Sequence, residues 1–147
     1  MSCCEILPNL WLGNLKTAQS GNFIEKYDID CILNCSSDIP FYTNETLNIR
    51  ISVNDNFKQD EIDKMYNYLD KSSNIIEKYL KDNKKILVHC YAGKQRSACV
   101  IAAYLIKYAG MTLNESINSI RSKRLIAFTP KVNFLEALKK YENSLKS

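Results

Sequence analysis

Ile86-Leu87-Val88-His89-Cys90-Tyr91-Ala92-Gly93-Lys94-Gln95-Arg96-Ser97 is the stretch that decides the fold of this chain. Three consecutive apolar residues ahead of a polar, glycine-containing segment read as a short buried strand. From Ala98 to Ala109 the sequence is then apolar on every face of a helix, with Gly110 placed as its C-cap. A helix that is apolar all round belongs in a core. The unit is therefore strand, loop and buried helix, as found in α/β sheets whose ligands bind beyond the carboxyl ends of the strands.

The flanking sequence extends the same pattern. Ile6 to Leu12 reads as a first strand closed by Gly13-Asn14, with a short helix after it. Asp30 to Asn34 and Leu47 to Val53 read as two further strands, the first central and the second with a more polar face. Asp60 is placed to cap a long amphipathic helix, with Asp63 at its third position and Ile62, Met65, Leu69, Ile76 and Leu80 at helical spacing. Thr112 and Glu115 form a capping box for a following helix. Thr129-Pro130 reads as the N-cap and first residue of a last helix, with Phe134, Leu138, Tyr141 and Leu145 along one stripe. Residues 1–147 are expected to form one α/β domain, a central, largely parallel mixed sheet of about five strands flanked by helices.

The central loop has a defined chemistry. Successive backbone N–H groups between a strand and a helix N-terminus curl into an anion-binding nest, so the amides of Tyr91, Ala92, Gly93, Lys94 and Gln95 are expected to face a phosphate. The same field favours a thiolate at Cys90. Arg96 presents a planar fork to two oxygens of the anion, which the point charge of a lysine does less well. Gly93 supplies the backbone freedom for the bend.

Composition narrows the class further. The chain has 147 residues, 46% hydrophobic and 24% charged, enough for one globular core. Its net charge of +4 divides unevenly, with 7 basic and 12 acidic residues in 1–80 but 13 basic and 4 acidic in 81–147. The basic half contains the loop, which fits an anionic substrate; a stable nucleic-acid complex is not expected. The longest apolar run, Ala98 to Ala109, is too short to cross a bilayer and contains Lys107. The N-terminus lacks a signal-peptide layout, and Ser2 stands where myristoylation needs Gly. A cytoplasmic or nuclear monomer is expected. Of the 6 cysteines, Cys3, Cys4, Cys31 and Cys35 offer a conceivable zinc set, but they lack Cys-x-x-Cys spacing and read better as reduced thiols; Cys31, Cys35 and Cys99 read as small apolar side chains.

Cys90 with Arg96 and Ser97 resembles the signature of the protein tyrosine phosphatase superfamily, and the rest of the chain is similar to its dual-specificity class. Ile6 to Asn14 resembles that family's opening strand, Ile32-Leu33-Asn34-Cys35 a following strand, and Ile51 to Asn56 its acid loop. Arg121, Arg124, Pro130, Phe134 and Leu138 resemble its closing helices. The resemblance implies a hydrolase of phosphotyrosine and phosphoserine or phosphothreonine in proteins, of the small stand-alone type. Cys90 would be the nucleophile, Arg96 the phosphate ligand, Asp55 the general acid and base, and Ser97 the hydroxyl that stabilises the departing thiolate. His89 would orient the loop and help to set the thiol's pKa. The resemblance implies no metal and no organic cofactor.

Three positions depart from the family pattern. Gln95 is longer than the usual Ser or Gly and is expected to narrow the mouth or touch substrate. Lys94 resembles the loop lysine of phosphoinositide phosphatases, but Tyr91 stands where those enzymes carry a second basic residue. Lys131 replaces an Asn that bonds to the catalytic loop in many members, with Asn133 as a substitute. The competing readings are a phosphatase for a phosphoinositide or an RNA 5′ phosphate, and a catalytically silent phosphoprotein-binding module.

Overall fold

The computed structural model describes residues 2–146. Its sheet is built from β1 (Cys3–Leu7), β2 (Leu10–Gly13), β3 (Cys31–Asn34), β4 (Leu47–Arg50) and β5 (Ile86–His89), in the order β1-β2-β5-β3-β4. β5 pairs in parallel with β2 and β3, β3 in parallel with β4, and β1 antiparallel with β2. This is the expected mixed, largely parallel sheet, with β5 at its centre. Helices α1 (Leu15–Ala18) and α2 (Gly21–Lys26) follow β2, α3 (Gln59–Lys81) precedes β5, and α4 (Arg96–Tyr108), α5 (Leu113–Lys123) and α6 (Leu135–Ser144) follow it.

Strand alternation divides the core between the two sheet faces. Leu10, Leu12, Leu33, Ile86 and Val88 pack with Met65, Leu69, Ile76, Ile101, Leu105 and Leu138 of the larger helical layer. Trp11, Ile32 and Leu87 turn the other way, toward Ala18 and Ile24. Helix α4 is buried from Ser97 to Ile106, as its sequence requires. Thr112 and Glu115 make the expected capping box, and Gly110 follows the last turn of α4 at φ +68°.

Five local expectations are corrected. Ile6 to Leu12 is not one strand: Pro8-Asn9 turns the chain between β1 and β2, with Asn9 at φ +71° and its N–H held by the Glu5 carboxylate at 3.0 Å. The expected strand Leu47 to Val53 leaves the ladder after Arg50, although Ile51 and Val53 stay buried. Asp60 lies inside the first turn of α3, where its carboxylate accepts from the Glu61 N–H at 3.0 Å; Lys58 occupies the N-cap position without a side-chain cap, and Asp63 accepts from Gln59. Thr129-Pro130 is a cis peptide in a loop and does not start α6, which begins at Leu135 with Phe134 at its N-cap position. Phe134, Leu138 and Tyr141 are buried as expected, whereas Leu145 lies beyond the end of α6 and is exposed.

Because Ile101 is wholly buried at the centre of the larger layer, Ile101→Ala should cost about 2 to 5 kcal/mol of unfolding free energy. Urea denaturation at pH 7 measures this. A loss below about 1 kcal/mol would contradict the central burial of α4.

Candidate active site

The loop between β5 and α4 is held from outside, carbonyl by carbonyl. The Tyr91 carbonyl accepts from the Leu15 N–H at 2.9 Å, that of Lys94 from the Phe128 N–H at 2.8 Å, and that of Gln95 from the Cys99 N–H at 2.8 Å. Buried Arg124 supplies the rest, with Nε on the Gly93 carbonyl at 2.8 Å and Nη2 on that of Ala92 at 3.2 Å. A peptide group carries its N–H opposite its carbonyl, so fastening the carbonyls outward turns the amides toward the centre. The amides of Gly93 and Ser97 reach the Cys90 sulfur.

Gly93 is required for two reasons. Its φ is +66°, which L side chains rarely adopt, and a Cβ there would lie 2.6 Å from the Gly13 carbonyl oxygen. The loop is pressed directly onto the end of β2.

Cys90 is only 3% exposed. Burial alone pushes its thiol up, but the Ser97 hydroxyl and N–H, the Arg96 charge and the Gly93 N–H outweigh it, and the thiol ends below its ordinary value of 9.0. The Ser97 Oγ lies 3.1 Å from Sγ. The uncapped N-terminus of α4 adds its partial positive charge on the same side. Neighbouring Cys35, whose N–H donates to the His89 carbonyl at 2.7 Å, is shifted the opposite way by burial and by the nearby Cys90. The loop thus selects one cysteine for ionisation. Among the described residues no cluster of three or more His, Cys, Asp or Glu side chains is placed to hold a metal, and Cys31 and Cys35 are buried in and beside β3.

A cavity of about 390 Å³ opens over Cys90, lined by Asp55, Tyr91, Ala92, Lys94, Gln95, Arg96, Thr129 and Asn133. Of the residues singled out in the sequence, Cys90, Asp55, Tyr91, Ala92, Lys94, Gln95 and Arg96 line this cavity, whereas Gly93 and Ser97 do not. Gly93 packs against the end of β2 with its N–H toward the Cys90 sulfur, and Ser97 is fully buried with its hydroxyl beside that sulfur. Arg96 Nη1 donates to the Val53 carbonyl at 3.0 Å, which aims the guanidinium across the cavity floor toward the Asp55 loop. That loop is fixed from α3, where the buried Glu61 carboxylate accepts the Asn54 N–H at 2.7 Å and the Lys64 ammonium at 2.9 Å.

The expectation for Gln95 is corrected. Its amide does not project into the mouth: Nε2 donates to the carbonyls of Thr129 at 3.2 Å and Lys131 at 2.7 Å, and Oε1 accepts the Asn133 N–H at 3.0 Å. These bonds hold residues 129–133 as a loop, which is why Thr129-Pro130 does not open α6. Gln95 thus ties the catalytic loop to this segment, and the Asn133 side chain goes instead to Asp55. Lys131 is left to place its ammonium 5.2 Å from the ring centre of the exposed Phe57. Arg124 and Glu61 were absent from the sequence-derived site, and the side-chain role of Gln95 was not read there, because each acts on a partner distant in sequence that spacing does not reveal.

A buried, hydrogen-bonded thiol in a ring of backbone amides, at the carboxyl end of a parallel sheet, is the arrangement of a cysteine-based phosphatase. The chain belongs to the dual specificity phosphatase family, matching its catalytic domain over residues 10–144. It is 36% identical over 145 residues to human dual specificity protein phosphatase 16, covering 97% of this chain and 21% of that protein. It thus spans about a fifth of the length of that relative and of the mouse and human dual specificity protein phosphatase 8. A putative tyrosine phosphatase of invertebrate iridescent virus 6 is 32% identical over 147 residues, covering 100% of this chain and 96% of the viral one. The crystal structure of human DUSP28 shares the fold at a TM-score of 0.88 and 24% identity, over 100% of this chain and 97% of that one. A mouse putative dual specificity phosphatase complexed with zinc tungstate gives 0.86 at 27% identity, over 99% and 89%.

His89 lies buried behind the loop with Nδ1 3.4 Å from the Cys90 carbonyl. Burial lowers its pKa from 6.5 to about 4; the Cys90 carbonyl opposes this, and the charges of Arg50 and Arg96 add to it. The imidazole is neutral at pH 7. Between pH 6.5 and 4 the unfolded chain takes up a proton here that the native chain does not, so stability should fall as pH falls through that window. His89→Gln should flatten that part of a stability-against-pH profile measured by urea denaturation. An unchanged slope would mean that another group is responsible.

Proposed function

We propose that this chain is a protein phosphatase that hydrolyses phosphotyrosine and phosphoserine or phosphothreonine through a phosphocysteine intermediate. The observation that carries this reading is the Cys90 thiol, pulled down by the loop despite its burial, at the floor of a cavity that also holds Arg96 and Asp55.

The roles follow from position and chemistry. The inward amides and the Arg96 fork bind the three non-bridging phosphate oxygens and the charge that gathers on them. The Cys90 thiolate attacks phosphorus as the bond to the leaving oxygen breaks, and the Asp55 carboxyl gives that oxygen its proton. A water then attacks the phosphocysteine while Asp55 takes the water's proton. The P–S bond breaks, inorganic phosphate leaves, and the Ser97 hydroxyl, 3.1 Å from sulfur, donates to the returning thiolate. His89, neutral and buried, holds the backbone of Cys90.

Family membership and relatives that carry protein phosphatase names support a phosphoprotein substrate. The cavity lining includes the exposed ring of Tyr91 and the cation of Lys94, which suits a phosphorylated peptide segment. None of the steps requires a metal.

Phosphate release should be compared for the native chain and Cys90→Ser, with EDTA present, on phosphotyrosine peptide, phosphothreonine peptide, phosphoinositide vesicles and 5′-phosphorylated RNA. Turnover of the peptides by the native chain, lost in Cys90→Ser, is the expected result. Release confined to lipid or RNA would overturn the protein-substrate assignment, and peptide turnover that survives in Cys90→Ser would overturn the nucleophile.

A further inference from the structure

We infer that Asn133 is the positioning residue for the Asp55 carboxyl, and that Gln95, beside the phosphate-binding Arg96, holds Asn133 in place. The inference rests on the reading of Asp55 as the general acid.

Gln95 is a buried amide, 7% exposed, and its nitrogen and oxygen are both engaged. Nε2 donates to the carbonyls of Thr129 and Lys131 at 3.2 and 2.7 Å, and Oε1 accepts the Asn133 N–H at 3.0 Å. The segment 129–133 is thereby bound at its start, middle and end to one side chain of the catalytic loop. From the end of that segment the Asn133 Nδ2 reaches both carboxylate oxygens of Asp55, each at 3.1 Å. A continuous path of hydrogen bonds runs from the phosphate-binding loop through Gln95 and Asn133 to the carboxyl that faces the same cavity.

The chemistry of the contact suits this task. An amide nitrogen at neutral pH neither accepts nor releases a proton, so Asn133 fixes the plane of the carboxyl without competing for its proton. Holding both oxygens limits rotation about the last side-chain bond, the freedom that would otherwise carry the acidic oxygen away from the leaving group. Glu61 anchors the adjacent Asn54 backbone from α3. Backbone and side chain of the acid loop are therefore held from two different elements. Gln95 and Lys131, two of the three departures from the family pattern, meet here: Gln95 binds the backbone carbonyl of Lys131, and the Lys131 side chain is left for Phe57.

A positioning role for the acid is read from the leaving group. The test measures kcat/KM, which reports the steps through phosphocysteine formation, on a phosphotyrosine peptide and on 2,4-dinitrophenyl phosphate, whose leaving group departs without a proton. Asp55→Asn should lose far more on the peptide than on the dinitrophenyl ester. Asn133→Ala should show the same selectivity to a smaller degree, a loss of about tenfold on the peptide and at most about twofold on the ester. In the Asp55→Asn background, Asn133→Ala should add nothing to the selectivity. Gln95→Met, of similar length but without the amide, should shift it in the same direction as Asn133→Ala. Vanadate inhibition and thermal melting identify any variant with a damaged loop or fold. Should Asn133→Ala fail to fold, Asn133→Ser, too short to hold both oxygens, takes its place with the same expected selectivity.

The outcomes separate cleanly. If Asp55→Asn loses equally on both substrates, the reading of Asp55 as the acid fails. If Asp55→Asn is selective but Asn133→Ala is not, or if the two selectivities multiply in the double variant, the positioning role of Asn133 fails while the acid stands. If Asn133→Ala is selective and Gln95→Met is not, the part assigned to Gln95 fails.

Discussion

Stabilising a negative charge on the sulfur of Cys90, a residue only 3% exposed, is the constraint around which this structure is arranged. Burial by itself raises a thiol's pKa, so an ionised Cys90 exists only if the surroundings return more than desolvation removes. Three kinds of group do so: a hydroxyl from Ser97, backbone amides from Gly93 and Ser97, and the guanidinium of Arg96. Cys35, just past the end of the neighbouring strand, also feels the Arg96 charge, but burial and the nearby Cys90 outweigh it and its thiol is pushed up instead. The contrast between two adjacent cysteines shows that the loop's geometry, and not burial or residue type, sets the charge.

Amides point inward only if carbonyls are held outward, and that requirement extends far from the sulfur. Leu15 at the start of α1, Arg124 just past the end of α5 and Phe128 beyond it each take one or two loop carbonyls. Elements from both ends of the chain are thus fastened to one short loop. The close contact of Gly93 with Gly13 adds a steric limit, since a side chain at 93 would have to displace the backbone of β2. In the proposed mechanism the same loop then serves twice, as the cradle for phosphate and as the solvent for the leaving thiolate.

What was legible in the sequence was what is locally encoded. Ile86 to Val88, the loop and the largely apolar Ala98 to Ala109 announce a central strand and a buried helix because each signal lies within a few residues of the structure that it specifies. The Pro8-Asn9 turn was hidden inside an apolar run, although the dipeptide itself is a turn signal that marks the hairpin in hindsight. Thr129-Pro130 carried the local grammar of a helix start, yet Gln95, more than thirty residues earlier, takes the carbonyls of Thr129 and Lys131 and keeps the segment a loop. The Glu61 bond to the Asn54 loop, the Arg124 bonds to the catalytic loop and the Asn133 contact with Asp55 were equally invisible. Their partners come together only through the fold, so the nucleophilic loop could be read from sequence while its supports could not.

The most direct test of this account is the rate at which Cys90 is alkylated by iodoacetamide as a function of pH, followed by mass spectrometry of the peptide that contains it. The account predicts a titration midpoint below the ordinary value of 9.0, and a higher midpoint in Ser97→Ala, where the hydroxyl 3.1 Å from the sulfur is lost. A midpoint at or above 9.0 in the native chain, or one that Ser97→Ala leaves unmoved, would contradict the claim that the loop stabilises a buried thiolate.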